Sequence, residues 1–307
     1  QFDFDTEGIK MKVEGDWVKA EGTTLGADNG LGVATIMAIL ESTDIPHPAI
    51  EALFTIDEET GMTGAMGGGM GDMTMGDMTM GVANTHVIRH AGRILALEEG
   101  HFPYEVNSGL DTVGPWDFDG ELTTSMTAHP KICPLTGEML FFSYFAFEPP
   151  YLTYHRVGAD GRLVQTEPIE IPNMVMMHDF NVTRNHVVFM DLPLTFKLEA
   201  VGDGALPFRF DRDAGARLGV MPRDGSNSDV VWYDIDPCYV FHPVNSHEEG
   251  DNLVLHVSRL ESAFAESADD YSASGCLWRW TIDPIAGTVK EEQLDDRAGD
   301  FGRIDDR

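Results

Sequence analysis

SDVVWYDIDPCYVFHPVNSHEEGDNLVLHVSRL, residues 228–260, pairs β-branched and aromatic strand segments around turns of Asp, Gly and Asn, the pattern of antiparallel hairpins. The same rhythm recurs in LFFSYFAF (140–147), YLTYHRVGADGRLVQTEPIEI (151–171), HDFNVTRNHVVFMDLPLTF (178–196) and CLWRWTIDPIAGTVKEEQLDD (276–296). Helical periodicity is nearly absent from this half of the chain. Antiparallel strands meandering over so long a span point to a β-propeller or a large β-sandwich, and the repeats agree in rhythm but not in sequence.

Three histidines stand at the edges of these strand patterns: His129 in MTAHPKICP, His178 in MMHDFNVT and His242 in YVFHPVNS. They are separated by 178 − 129 = 49 and 242 − 178 = 64 residues, roughly one propeller blade each. Equivalent blade ends converge on a propeller's axis, so imidazoles from separate blades can share one metal. An all-imidazole set admits Fe(II), Zn or Cu on ligand type. The plainer reading is three structural histidines.

Five blocks carry a resemblance: ANTHVIRHAGRILALEEG (83–100), LDTVGPWDFDGELTTSMTAHPKICPLTGEMLFF (110–142), MMHDFNVTRNHVVFMDLPL (176–194), DPCYVFHPVNS (236–246) and the 276–296 block. In this order they resemble the carotenoid cleavage oxygenase family over roughly residues 82–307. The resemblance implies a seven-bladed propeller with a non-haem Fe(II) on its axis, held by four histidines and no carboxylate. By position it makes His129, His178 and His242 the first three ligands. Glutamates that accept the outer N–H of ligand imidazoles are part of the pattern; Glu99 matches one, and Asp300 stands where another is expected. The fourth histidine belongs to a block expected after Arg307, and the first blade is expected ahead of residue 83, so an incomplete propeller is anticipated. The implied activity is cleavage of a carotenoid or apocarotenoid C=C bond by O2 into two carbonyl products. Stilbene-cleaving members carry a Lys before the conserved Glu; this chain has Glu98, which favours an apolar polyene. Phe145, Phe147, Tyr151 and Trp232 are candidates for a tunnel lining or for core.

The N-terminal side reads differently. GDWVKAEGTTLGADNGLGVATIMAILES (15–42) predicts a short strand over 17–20, a Gly-rich turn and a buried helix from about 30 to 42. AIEALFTIDEETGMTGA (49–65) predicts a strand over 50–56 that ends in carboxylates, where open α/β sheets build their sites. TTLGADNGLG and DEETGMTGA resemble the aminoacyl-histidine dipeptidase branch of the di-zinc metallopeptidases. That resemblance implies a metal-bridging Asp28, a general-base Glu58 and a Zn(II)-ligating Glu59. The histidines and further Asp of that family have no matching motif, and carboxylates alone do not complete a four-coordinate zinc site. A Xaa-His metallo-dipeptidase is therefore the alternative activity, and a non-catalytic composite chain the third reading.

Between the two sides runs GAMGGGMGDMTMGDMTMGVANTH (64–86), with GDMTM twice in tandem. Met66, Met70, Met73, Met75, Met78 and Met80 present thioethers suited to Cu(I), but a Gly-rich, aperiodic segment is more simply a tether. The expected organisation is a small α/β fragment over 1–66, a Met/Gly-rich linker over 67–82 and a propeller over 83–307. A mainly β chain assembled from two sources, as a natural fusion or otherwise, follows from that.

Composition bounds the partners. The 307 residues carry 20 basic against 52 acidic side chains, a formal charge of −32, which repels nucleic acid and anionic membranes. Scarce Lys and abundant Asp suit a salt-adapted source as well as a merely soluble acidic protein. Nothing is apolar for long enough to span a bilayer, and the chain starts at Gln1 with no visible leader. Cys133, Cys238 and Cys276 lie far apart and encode neither a disulfide framework nor a zinc ribbon, so a reducing, cytoplasmic setting is expected.

Overall fold

Strand dominates the residues that the computed structural model describes, which are 10–14, 17–20, 37–42, 78, 79, 81, 83, 85–109, 111–144, 146, 148–197, 208–264, 275–300 and 302. The chain divides into two units, residues 1–67 and 68–307.

In the first unit, β1 (Met11–Glu14) pairs antiparallel with β2 (Trp17–Ala20). Residues 37–41 form the α-helix seen among the described residues. The expected burial of that helix does not hold for this part: Met37 is 50% exposed and Leu40 45%. Apolar residues on every face predict burial only if neighbours surround the helix, which periodicity cannot show. The expected strand over 50–56 lies outside the described residues.

Among its described residues the second unit holds four four-stranded antiparallel sheets. The first runs β3 (His86–His90), β4 (Arg93–Leu97), β5 (Tyr104–Val106), β6 (Thr112–Pro115), and the second β7 (Lys131–Ile132), β8 (Met139–Ser143), β9 (Leu152–Val157), β10 (Leu163–Ile169). The third joins β11 (Asn181–Val182), β12 (His186–Asp191), β15 (Ala216–Pro222) and β16 (Val231–Ile235), with the hairpin β13 (Leu194–Phe196) and β14 (Phe208–Phe210) inserted between β12 and β15. The fourth runs β17 (Pro243–Glu249), β18 (Asn252–Arg259), β19 (Cys276–Asp283), β20 (Thr288–Ala298). Most strands pair with a neighbour in sequence, some through tight turns. Ala91 and Gly92, at φ 48° and 84°, make the two-residue turn with paired positive φ whose twist matches a hairpin, and glycine bears that conformation without cost.

Burial follows strand position. All five residues of β8 are buried in the middle of its sheet, whereas β10 alternates between half-buried and exposed along the sheet's edge until the buried Ile169. Leu140, Phe142, Tyr154, Phe189, Leu218, Leu255 and Trp280 belong to one apolar cluster that runs through the second, third and fourth sheets. Phe118, Phe141 and Leu95 belong to another that joins the first and second. Polar ties cross between sheets as well: Tyr154 Oη donates to the Arg223 carbonyl at 3.0 Å, and Gln165 Nε2 to that of Gly225 at 2.7 Å. Glu248 on β17 accepts from Thr183 Oγ1 at 2.5 Å, the Asn185 amide at 3.0 Å and Asn185 Nδ2 at 2.7 Å, and lies 3.0 Å from His186 Nδ1. That one carboxylate latches the fourth sheet to the β11–β12 turn of the third.

Candidate metal centre

His129, His178 and His242 each sit just ahead of the first strand of a sheet: β7, β11 and β17 respectively. Pro130 and Pro243 follow two of them. Proline cannot donate to a ladder and biases the residue before it to extended backbone, so strand pairing starts beyond the histidine and leaves its ring free of the sheet. The approaches are pinned by backbone bonds. Thr127 donates to the Phe142 carbonyl at 2.8 Å, Met176 to Leu194 at 2.8 Å, and Tyr239 and Leu260 exchange bonds of 2.9 and 2.8 Å.

Nε2 of His178 stands 2.9 Å from Nε2 of His129 and 3.1 Å from Nε2 of His242, and one nitrogen from each ring lies within 4.8 Å of the others. An imidazole nitrogen either donates one proton or offers one lone pair, so His178 Nε2 cannot satisfy both neighbours by hydrogen bonding. A shared cation can. With bonds of about 2.1 Å, ligands at right angles stand about 3.0 Å apart and tetrahedral ligands about 3.4 Å. The two separations from His178 Nε2 fit the right-angled arrangement.

Two of the three rings, His178 and His242, face carboxylates with their outer nitrogens. Glu99 Oε1 lies 2.5 Å from His178 Nδ1, and its Oε2 accepts from Tyr144 Oη. Asp300 Oδ2 lies 3.0 Å from His242 Nδ1. The His242 Nδ1 proton directed at Asp300 leaves that ring's Nε2 lone pair facing inward, and the Glu99 charge beside His178 Nδ1 draws a proton to the same side of its ring. Thr127 ties two approaches together: its Oγ1 accepts from the His129 amide at 3.2 Å and donates to the His178 carbonyl at 3.3 Å. Below the rings, Lys131 Nζ pairs with buried Asp179 at 2.6 Å.

Burial and the neighbouring His178 and His242 charges hold His129 far below its ordinary value, in keeping with a neutral ring. Burial pulls His178 down too, but the Glu99 carboxylate outweighs it and raises the group. Burial, with Glu99 adding to it, holds the Tyr144 hydroxyl well above its usual range, so that proton stays on the phenol and is donated.

The structure thus brings together His129, His178, His242, Glu99 and Asp300. Tyr144, Thr127 and the Lys131–Asp179 pair were not singled out from sequence. Neither was His86, which caps β3 with its ring 6.0 Å from that of His129 and its Nδ1 2.8 Å from the Ala128 carbonyl. Glu98 is engaged elsewhere, by His101 Nδ1 at 2.9 Å and the Gly100 amide at 2.8 Å. Trp232 packs against Gly219 under the Arg217 guanidinium, while Tyr151 lines a separate cavity of about 300 Å³. Phe145 and Phe147 lie outside the described residues, as do Asp28, Glu58, Glu59 and all the singled-out methionines but Met78. Met78 and Thr79, within the expected linker, are tied down: their carbonyls accept from the Phe102 amide, at 3.0 Å, and from Tyr104 Oη.

Comparison with known proteins bears directly on these residues. The family profile described as retinal pigment epithelial membrane protein (RPE65) matches residues 39–307. Its match begins well ahead of the boundary expected near 82 and takes in residues grouped above with the peptidase-like fragment. A carotenoid 9,10(9',10')-cleavage dioxygenase of Crocus sativus is 40% identical over 240 residues, covering 74% of this chain and 43% of the relative. A carotenoid cleavage oxygenase of Mycobacterium tuberculosis (strain CDC 1551 / Oshkosh) is 38% identical over 272 residues, covering 74% of this chain and 54% of the relative. The chain therefore spans about half the length of the curated relatives it matches. Among solved structures, Pseudomonas brassicacearum lignostilbene dioxygenase superposes with a TM-score of 0.66 at 32% identity, over 73% of this chain and 50% of that one. Cobalt-substituted Synechocystis ACO superposes at 0.65 with 26% identity, over 75% and 52%.

Proposed function

The chain belongs to the carotenoid cleavage oxygenase family, and from that premise we propose that it carries the metal centre of a non-haem Fe(II) dioxygenase that cleaves a C=C bond of a carotenoid or apocarotenoid with O2 to give two carbonyl products. The observation that carries the reading is the convergence of three imidazole nitrogens, each from just ahead of a different sheet, with His178 Nε2 at right-angled ligand spacing from the other two. We read the four sheets as blades of a seven-bladed ring, with residues 83–307 as its share of the propeller.

Bound iron would supply the activation of O2 that side chains cannot. The protein's part is orientation. Glu99 and Asp300 hold the protons of His178 and His242 on Nδ1, and Tyr144 donates to the far oxygen of Glu99 and fixes its rotation. Thr127 keeps the His129 and His178 approaches in step. Glu98, bound by His101 and Gly100, offers no cation to a phenolic substrate, which favours the polyene over a stilbene.

Metal analysis after anaerobic Fe(II) loading, paired with an apocarotenal incubated under O2, tests this. About one iron per chain is expected, lost in His178→Ala, together with aldehyde products. Less than about a tenth of an equivalent bound by the wild-type chain removes the proposal.

A further inference from the structure

One ring of the trio is held differently from the other two. Glu99 and Asp300 face the outer nitrogens of His178 and His242, whereas among the described residues no carboxylate pairs with His129. What fixes His129 lies one peptide upstream. The unit joining Ala128 to His129 is planar, so its carbonyl and its N–H turn together. The N–H donates to Thr127 Oγ1 at 3.2 Å, and the carbonyl accepts from His86 Nδ1 at 2.8 Å. A carbonyl only accepts, so His86 carries its proton on Nδ1. Both ends of the plane are tied, and Pro130 biases His129 itself to extended backbone. Together these set the direction in which His129 projects its ring.

The first sheet delivers His86 to that carbonyl. His86 opens β3, and Thr85 ahead of it donates to the Leu97 carbonyl at 2.9 Å. Across the ladder His86 pairs with Leu97, which is buried in the cluster joining the first and second sheets, so the imidazole leaves on the face turned to the second sheet. Its ring lies 6.0 Å from that of His129, tilted by 31°. The residue is exposed, so core packing does not account for it; the Nδ1 proton is what it offers. We propose that His86 is a positioning residue of the metal centre. It aims the His129 ring from the backbone side, as Glu99 and Asp300 aim the other two from their outer nitrogens. This inference rests on the metal-centre reading above.

The test loads the whole chain anaerobically with Co(II), whose visible absorption bands follow ligand geometry, and measures affinity by competition with a chelator. His86→Phe and His86→Ala lose the donor and should bind about tenfold more weakly, with shifted bands. His86→Asn sets its Nδ2 near the place of the imidazole Nδ1 and should restore both affinity and bands. An Asn variant no better than the Phe variant overturns the proposal. So does a Phe variant whose urea midpoint falls while its Co(II) affinity and bands stay at wild type, since that marks a structural tie alone. A wild-type chain that binds no Co(II) removes the metal-centre reading and this inference with it. Tight wild-type binding that none of the three substitutions alters removes this inference alone.

Discussion

Tyr144 is the residue on which the candidate centre's geometry most narrowly depends, because among the described residues its hydroxyl alone donates to the second oxygen of Glu99. Tyr144→Phe keeps the ring in the core but leaves that oxygen unpaired in a buried place. Expected are a 10- to 100-fold (order-of-magnitude) weaker Fe(II) affinity by anaerobic titration and a loss of about 1–3 kcal/mol in denaturant unfolding. An unchanged affinity would show that Glu99 needs no such support. The three histidines and Glu99 were legible in sequence because short motifs carry them. Tyr144 was not. It meets Glu99 across 45 residues of chain, and the apolar run FFSYF marks it only as another core aromatic. The Lys131–Asp179 pair escaped for the same reason, since neither partner stands out until the fold sets them 2.6 Å apart.

Among elements, the latch between the third and fourth sheets has the clearest consequence. Burial pushes Glu248 up, but bonds from Thr183, His186 and Asn185 outweigh it and bring it to about 2, against 4.5 for an ordinary glutamate. Below 4.5 the unfolded chain binds this proton and the folded chain does not, so the latch's contribution is whole above 4.5 and drains away as pH falls toward 2. Glu248→Gln should lower stability by about 1–3 kcal/mol at pH 7 in urea melts, with the gap to wild type narrowing steadily below about pH 4. A gap that stays constant with pH would mean that the carboxylate's charge has no part in the latch. Strand existence was plain from β-branched and aromatic runs bounded by turn residues, in segments such as 186–191 and 252–259. The β13–β14 hairpin inserted between β12 and β15 was not, because PLTF reads as a continuation of the strand before it. Helix burial at Met37 and Leu40 failed because an apolar surface states a need for neighbours without supplying them.

At the scale of the whole molecule, a formal charge of −32 works against the core. Self-repulsion among so many carboxylates opposes compaction, and added salt screens it, with a Debye length that shrinks from about 10 Å at 0.1 M to about 3 Å at 1 M. Thermal unfolding followed by circular dichroism should shift upward by several degrees between low and molar NaCl. A midpoint that falls instead would mean that close ion pairs such as Arg217–Asp191 and Arg156–Glu138 outweigh the general repulsion.

Each imidazole of the trio comes from a different sheet, so a cation seated among them would bridge chain segments 49 and 64 residues apart. It would act as a rivet through three leaves, closing two long loops at once, and the entropy forfeited by a chain so fastened grows only slowly with loop length. Stripping the ion with a chelator would then do more than silence chemistry: it would let the leaves slide, making loss of metal and loss of shape successive moments of one event.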